Sequence, residues 1–373
     1  MNRIKSANRF FLIAVIIFLG VGTIASIFQG ILYGITGNEV FFSVELSLVI
    51  SQASIIIPAV VYLKYKGENI KETIGFHPLK ISNVFLTFLF TICIMPLTTL
   101  LNLISTIFVN NFIGETTTGM EGNPLMVNLL VLAVLPGICE EFVFRGVLFQ
   151  AYKKKNVLGG ALLCGVAFGL FHMNINQFIY AFVLGFTFAL LKEATGTIVA
   201  PMFAHFIFNG NSVFLMWLFE KIPQVSETVE PSLGVSIMTY LILALIFTPI
   251  AIFLLILLSK SNHRWNYLKS IFSKHARELY RDEYLFFMDP YNDEIMEPVG
   301  MYGNQNGDPM EPVDMYGNPN GDPVELVDMY GHPYHVPRPR VEQTKLITPS
   351  FVVGATICII MMLLTEIGAR MLM

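Results

Sequence analysis

The chain has 373 residues, of which 54% are hydrophobic and 13% charged, against about 25% charged in a soluble domain. That composition excludes an ordinary water-soluble globular protein. A formal net charge of -4, with Lys and Arg in short clusters, offers no electrostatic footprint for DNA or RNA, so no nucleic-acid partner is expected.

A bilayer core about 30 Å thick requires about 20 apolar residues per crossing helix, because lipid offers backbone groups no partners. On this measure nine spans are predicted, at 10–32, 41–63, 83–108, 125–150, 157–173, 176–192, 197–219, 234–259 and 348–370. The fold class is thus an all-α polytopic membrane protein, with the lipid bilayer as its solvent. The first span follows Arg3, Lys5 and Arg9, but its length of about 23 apolar residues exceeds a signal-peptide core and predicts an uncleaved anchor.

Basic residues near span ends are retained on the cytoplasmic side. They cluster at the N-terminus, at Lys64, Lys66, Lys71 and Lys80, and at Lys153, Lys154 and Lys155, whereas 33–40 and 109–124 hold none. The N-terminus is therefore predicted to be cytoplasmic, and so is the segment that follows the eighth span.

That segment changes character twice. Residues 260–281 carry six Lys or Arg with Trp265, Leu268, Ile271, Phe272 and Leu279 at roughly helical spacing, which predicts a basic amphipathic juxtamembrane helix. From Asp282 to Pro337 there are twelve acidic residues and no Lys or Arg. A 14-residue unit recurs there from Met296, Met310 and Val324, and its Asn-Gly and Asp-Pro pairs favour turns over helix. Residues 282–346 read as a solvated acidic Pro/Gly-rich linker, or, through the recurring Met-Tyr-Gly in 282–337, as a docking segment for a cytoplasmic partner. Residues 347–373 hold the last transmembrane helix. Residues 1–259 form the helical core. The four cysteines lie in apolar stretches without CxxC spacing and read as unpaired packing residues.

A charge in the bilayer centre costs at least about 2.5–3.5 kcal/mol, so intramembrane Glu, Arg and His are functional candidates by default. Span four reads LLVLAVLPGICEEFVFRGVLF. Neighbouring helical positions lie about 100° apart, so Glu140 and Glu141 cannot share a face. Glu141 and Arg145 stand at i and i+4 and are expected to pair within the bundle. That leaves Glu140 as the chemically available carboxylate, suited to general-base work. Pro136 and Gly137 one turn earlier are expected to kink the helix and release backbone groups.

Phe168 and His172 in span five stand at i and i+4, as do His205 and Asn209 in span seven. Two histidines, a glutamate and an asparagine are able to activate water and hold an oxyanion. The same Glu140, His172 and His205 could instead ligate a metal. Glu45, among Ser43, Ser47 and Ser51, reads as a packing or cavity residue, and Glu366 as a helix-end partner of Arg370.

Taken together, Glu140-Glu141-x-x-x-Arg145, Phe168-x-x-x-His172 and His205-x-x-x-Asn209 resemble the three motifs of the CPBP family, the CAAX proteases and bacteriocin-processing enzymes also called Abi proteins. The motif region covers 120–215, and the family-like core of about eight helices extends to residue 259, with one extra C-terminal helix beyond it. The resemblance implies an intramembrane endopeptidase acting on a membrane-associated protein or peptide. Carried over by position, Glu140 with His172 activates the attacking water, and His205 with Asn209 stabilises the oxyanion. Glu141, Arg145 and Phe168 support the site. A metal-independent glutamate mechanism is favoured, with no cofactor; Zn2+ on Glu140, His172 and His205 is the alternative. Neither HExxH nor a GxSxG-like elbow is present. Two other readings compete: a non-catalytic self-immunity or scaffold protein holding a partner through its cytoplasmic repeats, and a proton or substrate pathway built on the buried Glu and His.

Overall fold

The computed structural model describes residues 3–37, 42–109, 120, 122–221, 232–272, 326–327, 333–334 and 345–372. The chain divides into two units, Met1–Arg277 with Glu342–Met373, and Glu278–Val341. In the second unit the described residues form one short antiparallel pair, Leu326–Val327 with Pro333–Tyr334. The rest of the acidic repeats, with the partner expected for 282–337, lies outside the described residues, as does 273–281 of the basic segment.

The first unit is a helical bundle, an all-α polytopic membrane architecture. Its helices are α1 (Arg3–Thr36), α2 (Val44–Tyr65), α3 (Ile70–Ile74), α4 (Ile81–Ser105), α5 (Leu125–Tyr152), α6 (Val157–Phe171), α7 (Ile175–Thr195), α8 (Val199–Lys221), α9 (Leu233–Ser261), α10 (Trp265–Ser270) and α11 (Pro349–Leu372). Among the described residues, eight are long and apolar enough to cross a bilayer. The fifth expected span, 157–173, is shorter than predicted: α6 has 15 residues, about 22 Å at 1.5 Å per residue, against a core of about 30 Å. Its limits are set by caps. Asn156 accepts from the Gly159 N–H at its start, and Asn174 opens α7 by accepting from the Gln177 N–H. Between the two helices the chain reverses through Met173, whose φ is 50°.

Close helix contacts depend on absent side chains. On α6 a Cβ at Gly165 would stand 2.8 Å from the Phe182 carbonyl oxygen, and one at Gly169 2.8 Å from that of Phe178. Small residues at such crossings let backbones approach and maximise packing where lipid supplies no hydrophobic drive. The four cysteines are free and buried. Large exposed apolar side chains such as Ile24, Phe85, Leu245 and Leu363 lie along α1, α4, α9 and α11, as lipid-facing surfaces require.

The C-terminal helix is tied to the core through Asn8 on α1. Its side chain donates to the Leu346 carbonyl (2.8 Å) and to Thr348 Oγ1 (3.0 Å), and accepts from the Tyr152 hydroxyl (2.7 Å). Phe11 stacks on Phe351 beside it. On α11, Arg370 Nε donates to Glu366 Oε1 at 2.8 Å, as the i, i+4 spacing predicts. Leu268 and Ile271, at and just beyond α10, are buried in the core. Arg264, just before it, pairs with Glu193 on α7.

Candidate active site

The site forms on an irregular helix. Leu130–Val134 and Phe142–Leu148 within α5 are π-wound, and the turn carrying both glutamates lies between them. Pro136 has no N–H to give to the carbonyl four residues back, which belongs to Leu132. Asn209 of α8 takes that carbonyl, donating from Nδ2 at 2.9 Å. Gly137 makes the approach possible, since a Cβ there would be 3.2 Å from the Met202 carbonyl oxygen. Released backbone and missing side chain together bring α8 against the glutamates.

The two adjacent glutamates part as the 100° step predicts. Glu141 is fully buried and accepts from Arg145 Nη1 at 2.8 Å. The same Oε1 faces Nδ1 of His205, also at 2.8 Å, so Nδ1 carries the proton. Glu141 is thus more than the ion-pair partner expected from its spacing, because it also orients the imidazole. Arg145 lies over Phe168, 4.4 Å from the ring centroid, and donates to the Leu184 carbonyl on α7.

Glu140 is turned elsewhere, with 17% of its side chain exposed, and its Oε2 stands 3.9 Å from His205 Nε2. That distance exceeds a hydrogen bond. Its Oε1 accepts from Gln52 Nε2 of α2 at 3.0 Å.

His172 closes α6. Its Nδ1 is 2.9 Å from the Phe168 carbonyl oxygen; a carbonyl only accepts, so Nδ1 donates and a neutral ring keeps its lone pair on Nε2. The Phe168 ring makes edge contacts with both histidines, at centroid distances of 4.9 Å to His172 and 6.0 Å to His205. The short α6 brings His172 into the bundle: a helix of full span length would carry it on towards the opposite surface. Glu140, Glu141, Arg145, Phe168, His172 and His205 are therefore linked in one cluster, which Asn209 joins through the Leu132 carbonyl of the same helix, whereas Glu45 and Glu366 have other partners. Glu45 accepts from Asn123 Nδ2, and Glu220 from the Gly122 N–H at 3.1 Å.

Two participants escaped the sequence reading. Gln52 carries no charge and was not among the ionisable candidates. Lys192, the last residue of the predicted span 176–192, is buried; its Nζ donates to the carbonyls of Ile74 and Arg145, each at 2.8 Å.

A zinc site does not fit this arrangement. Among the described residues no three His, Cys, Asp or Glu side chains converge as metal ligands. Glu140, one of the three expected ligands, is held towards Gln52.

Residues 122–211 match the family model described as type II CAAX prenyl endopeptidase Rce1-like. Over 91 residues the chain is 37% identical to "Putative membrane peptidase YdiL" of Bacillus subtilis (strain 168), an overlap of 24% of this chain and 36% of that protein. The chain thus spans about a third of the length of that curated relative. No solved structure matches the chain. The matched stretch includes all seven clustered residues from Glu140 to Asn209 and leaves out Gln52.

Proposed function

We propose that this integral, multi-pass membrane protein is an intramembrane endopeptidase of the CPBP type, a reading supported by the match of residues 122–211 to the Rce1-like family model and by the similarity to a membrane peptidase. It hydrolyses a peptide bond of a membrane-associated protein or peptide. The observation that carries the reading is the unequal treatment of two adjacent carboxylates: Glu141 is sealed and doubly paired, while Glu140 is partly open beside two histidines.

Glu140 takes a proton from water, which His172 helps to orient through Nε2, and the hydroxide adds to the scissile carbonyl. The oxyanion is met by His205 at Nε2 and by the second N–H of Asn209 Nδ2. Collapse breaks the C–N bond, and Glu140 returns its proton to the leaving amine. One water is consumed, and no metal takes part in any step. The basic loops put the N-terminus on the cytoplasmic side, and cleavage takes place towards that face.

The test is hydrolysis of a quenched peptide library by the purified chain in liposomes, with and without a zinc chelator. Glu140→Gln and His172→Ala are expected to abolish cleavage, and chelator to leave it intact. Full activity in Glu140→Gln would refute the assignment. Loss in chelator with recovery on added zinc would restore the metal alternative.

A further inference from the structure

A glutamate that acts as a base must keep one oxygen available and must not collapse onto a neighbouring cation. Glu140 has little local help in this. On its own helix the i-4, i+3 and i+4 positions are Pro136, Val143 and Phe144, none of which offers a side-chain hydrogen bond. His205 Nε2 lies 3.9 Å from Oε2, close enough to compete for that oxygen. Among the described residues, the side chain hydrogen-bonded to Glu140 is Gln52, on a different helix. Gln52 is buried, and its own Oε1 is buried with no hydrogen-bond partner among the described residues. An amide placed this way has one half committed to the carboxylate and one acceptor left over, at a cost that packing alone does not explain.

We propose that Gln52 is a positioning residue for the hydrolysis. Its N–H holds Oε1 of Glu140 and draws the carboxylate away from His205, so that Oε2 remains available to the attacking water. Its carbonyl oxygen accepts from a donor entering the same space, either the water or a substrate N–H. The inference rests on the reading of Glu140 as the base. It adds a contribution from α2, outside the stretch that matches the family.

The test compares Gln52→Leu, Gln52→Asn and Gln52→Glu with Glu140→Gln in the full chain in liposomes, with thermal unfolding followed alongside. Losing a hydrogen bond to a charged group predicts a fall in kcat of about 10- to 100-fold for Gln52→Leu, with KM changed less than about twofold. Gln52→Asn, with the amide one methylene shorter, recovers part of that loss. Gln52→Glu supplies the signature that a purely structural role would not move. Protonated, the new carboxyl donates to Glu140 as the amide does; ionised, it repels Glu140. Its activity relative to the wild type therefore falls as pH rises. The titratable groups surrounding the pair, His205, His172, Tyr180 and Cys139, are common to both proteins and cancel in the ratio. In Gln52→Leu/Glu140→Gln the Gln52 change adds nothing. Wild-type kcat in Gln52→Leu with an inactive Glu140→Gln overturns the proposal alone, and so does a flat pH ratio for Gln52→Glu. Full activity in Glu140→Gln overturns the underlying reading instead.

Discussion

Glu141→Leu separates the two tasks that one buried carboxylate performs. The substitution leaves the Arg145 guanidinium where both partners had been 0% exposed, and breaking a buried pair by removing one member costs roughly 3–5 kcal/mol. Some support survives, since Arg145 still lies over Phe168 and donates to the Leu184 carbonyl; a desolvated cation–π contact is worth up to about 2 kcal/mol. The expected loss is therefore at the lower end, about 3 kcal/mol. Replacing both members, Glu141→Leu with Arg145→Met, removes the stranded charge and is expected to recover most of the stability, as apolar substitutes for buried pairs commonly do. Activity is not expected to return with it, because His205 loses the carboxylate that holds its Nδ1. Thermal or denaturant unfolding in detergent, beside peptide cleavage in liposomes, reads the two outcomes separately. A loss below about 1 kcal/mol in the single variant, or a double variant no more stable than the single, refutes the ion-pair reasoning. A stable and fully active double variant refutes the orienting role of Glu141.

Gly169→Ala places a Cβ 2.8 Å from the Phe178 carbonyl oxygen and is expected to force α6 from α7, lowering unfolding stability by about 1–3 kcal/mol and reducing cleavage as His172 moves. Pro136→Ala returns an N–H that competes for the Leu132 carbonyl held by Asn209; it should leave the thermal midpoint unchanged or higher while kcat falls, and an unchanged kcat would show that Asn209 is not placed by that bond. Lys153, just beyond α5 and buried beside Glu193, has its ammonium pushed below the ordinary lysine value, first by burial and against the opposing pull of Glu193. Because the unfolded chain then binds the proton more tightly, wild-type stability relative to Lys153→Met should rise as pH approaches the ordinary lysine value and fall below it; a difference independent of pH between neutrality and that value would contradict this.

Much of the site was legible because helical periodicity is a strong constraint within a bilayer. The i, i+4 spacing of Glu141 and Arg145 and the 100° divergence of Glu140 follow from helix geometry alone. Pro136 announced a released carbonyl, though not who would take it. What sequence could not show is how partners from distant helices meet. Gln52 is one of several buried amides in apolar helices, with Asn83, Asn128 and Asn176, and nothing local distinguishes the one that reaches Glu140. Lys192 stands at a span end, where a cation ordinarily faces water; only the packing of α3 against α5 and α7 turns it inward. The short α6 was signalled by Asn156 and Asn174, whose capping role marks helix starts. A hydropathy window averages across such boundaries and extends the span by two residues at its far end.

The irregular winding of α5 connects these particulars. A regular helix in lipid satisfies its own backbone and needs nothing from its neighbours. Here Pro136 and the π-wound turns leave carbonyls for other helices, and π-turns recur at functional sites. Asn209 of α8 takes Leu132 and Lys192 of α7 takes Arg145, while the Arg145 side chain returns a bond to Leu184 of α7. Each defect in one helix thus fixes the position of a polar side chain on another, at a cost in self-sufficiency that a purely structural helix would have no reason to carry. Polar groups in a low-dielectric interior are held by such bonds more firmly than in water. The same irregularity that weakens α5 as an isolated helix holds Asn209 on the Leu132 carbonyl one turn from His205, which Glu141 orients.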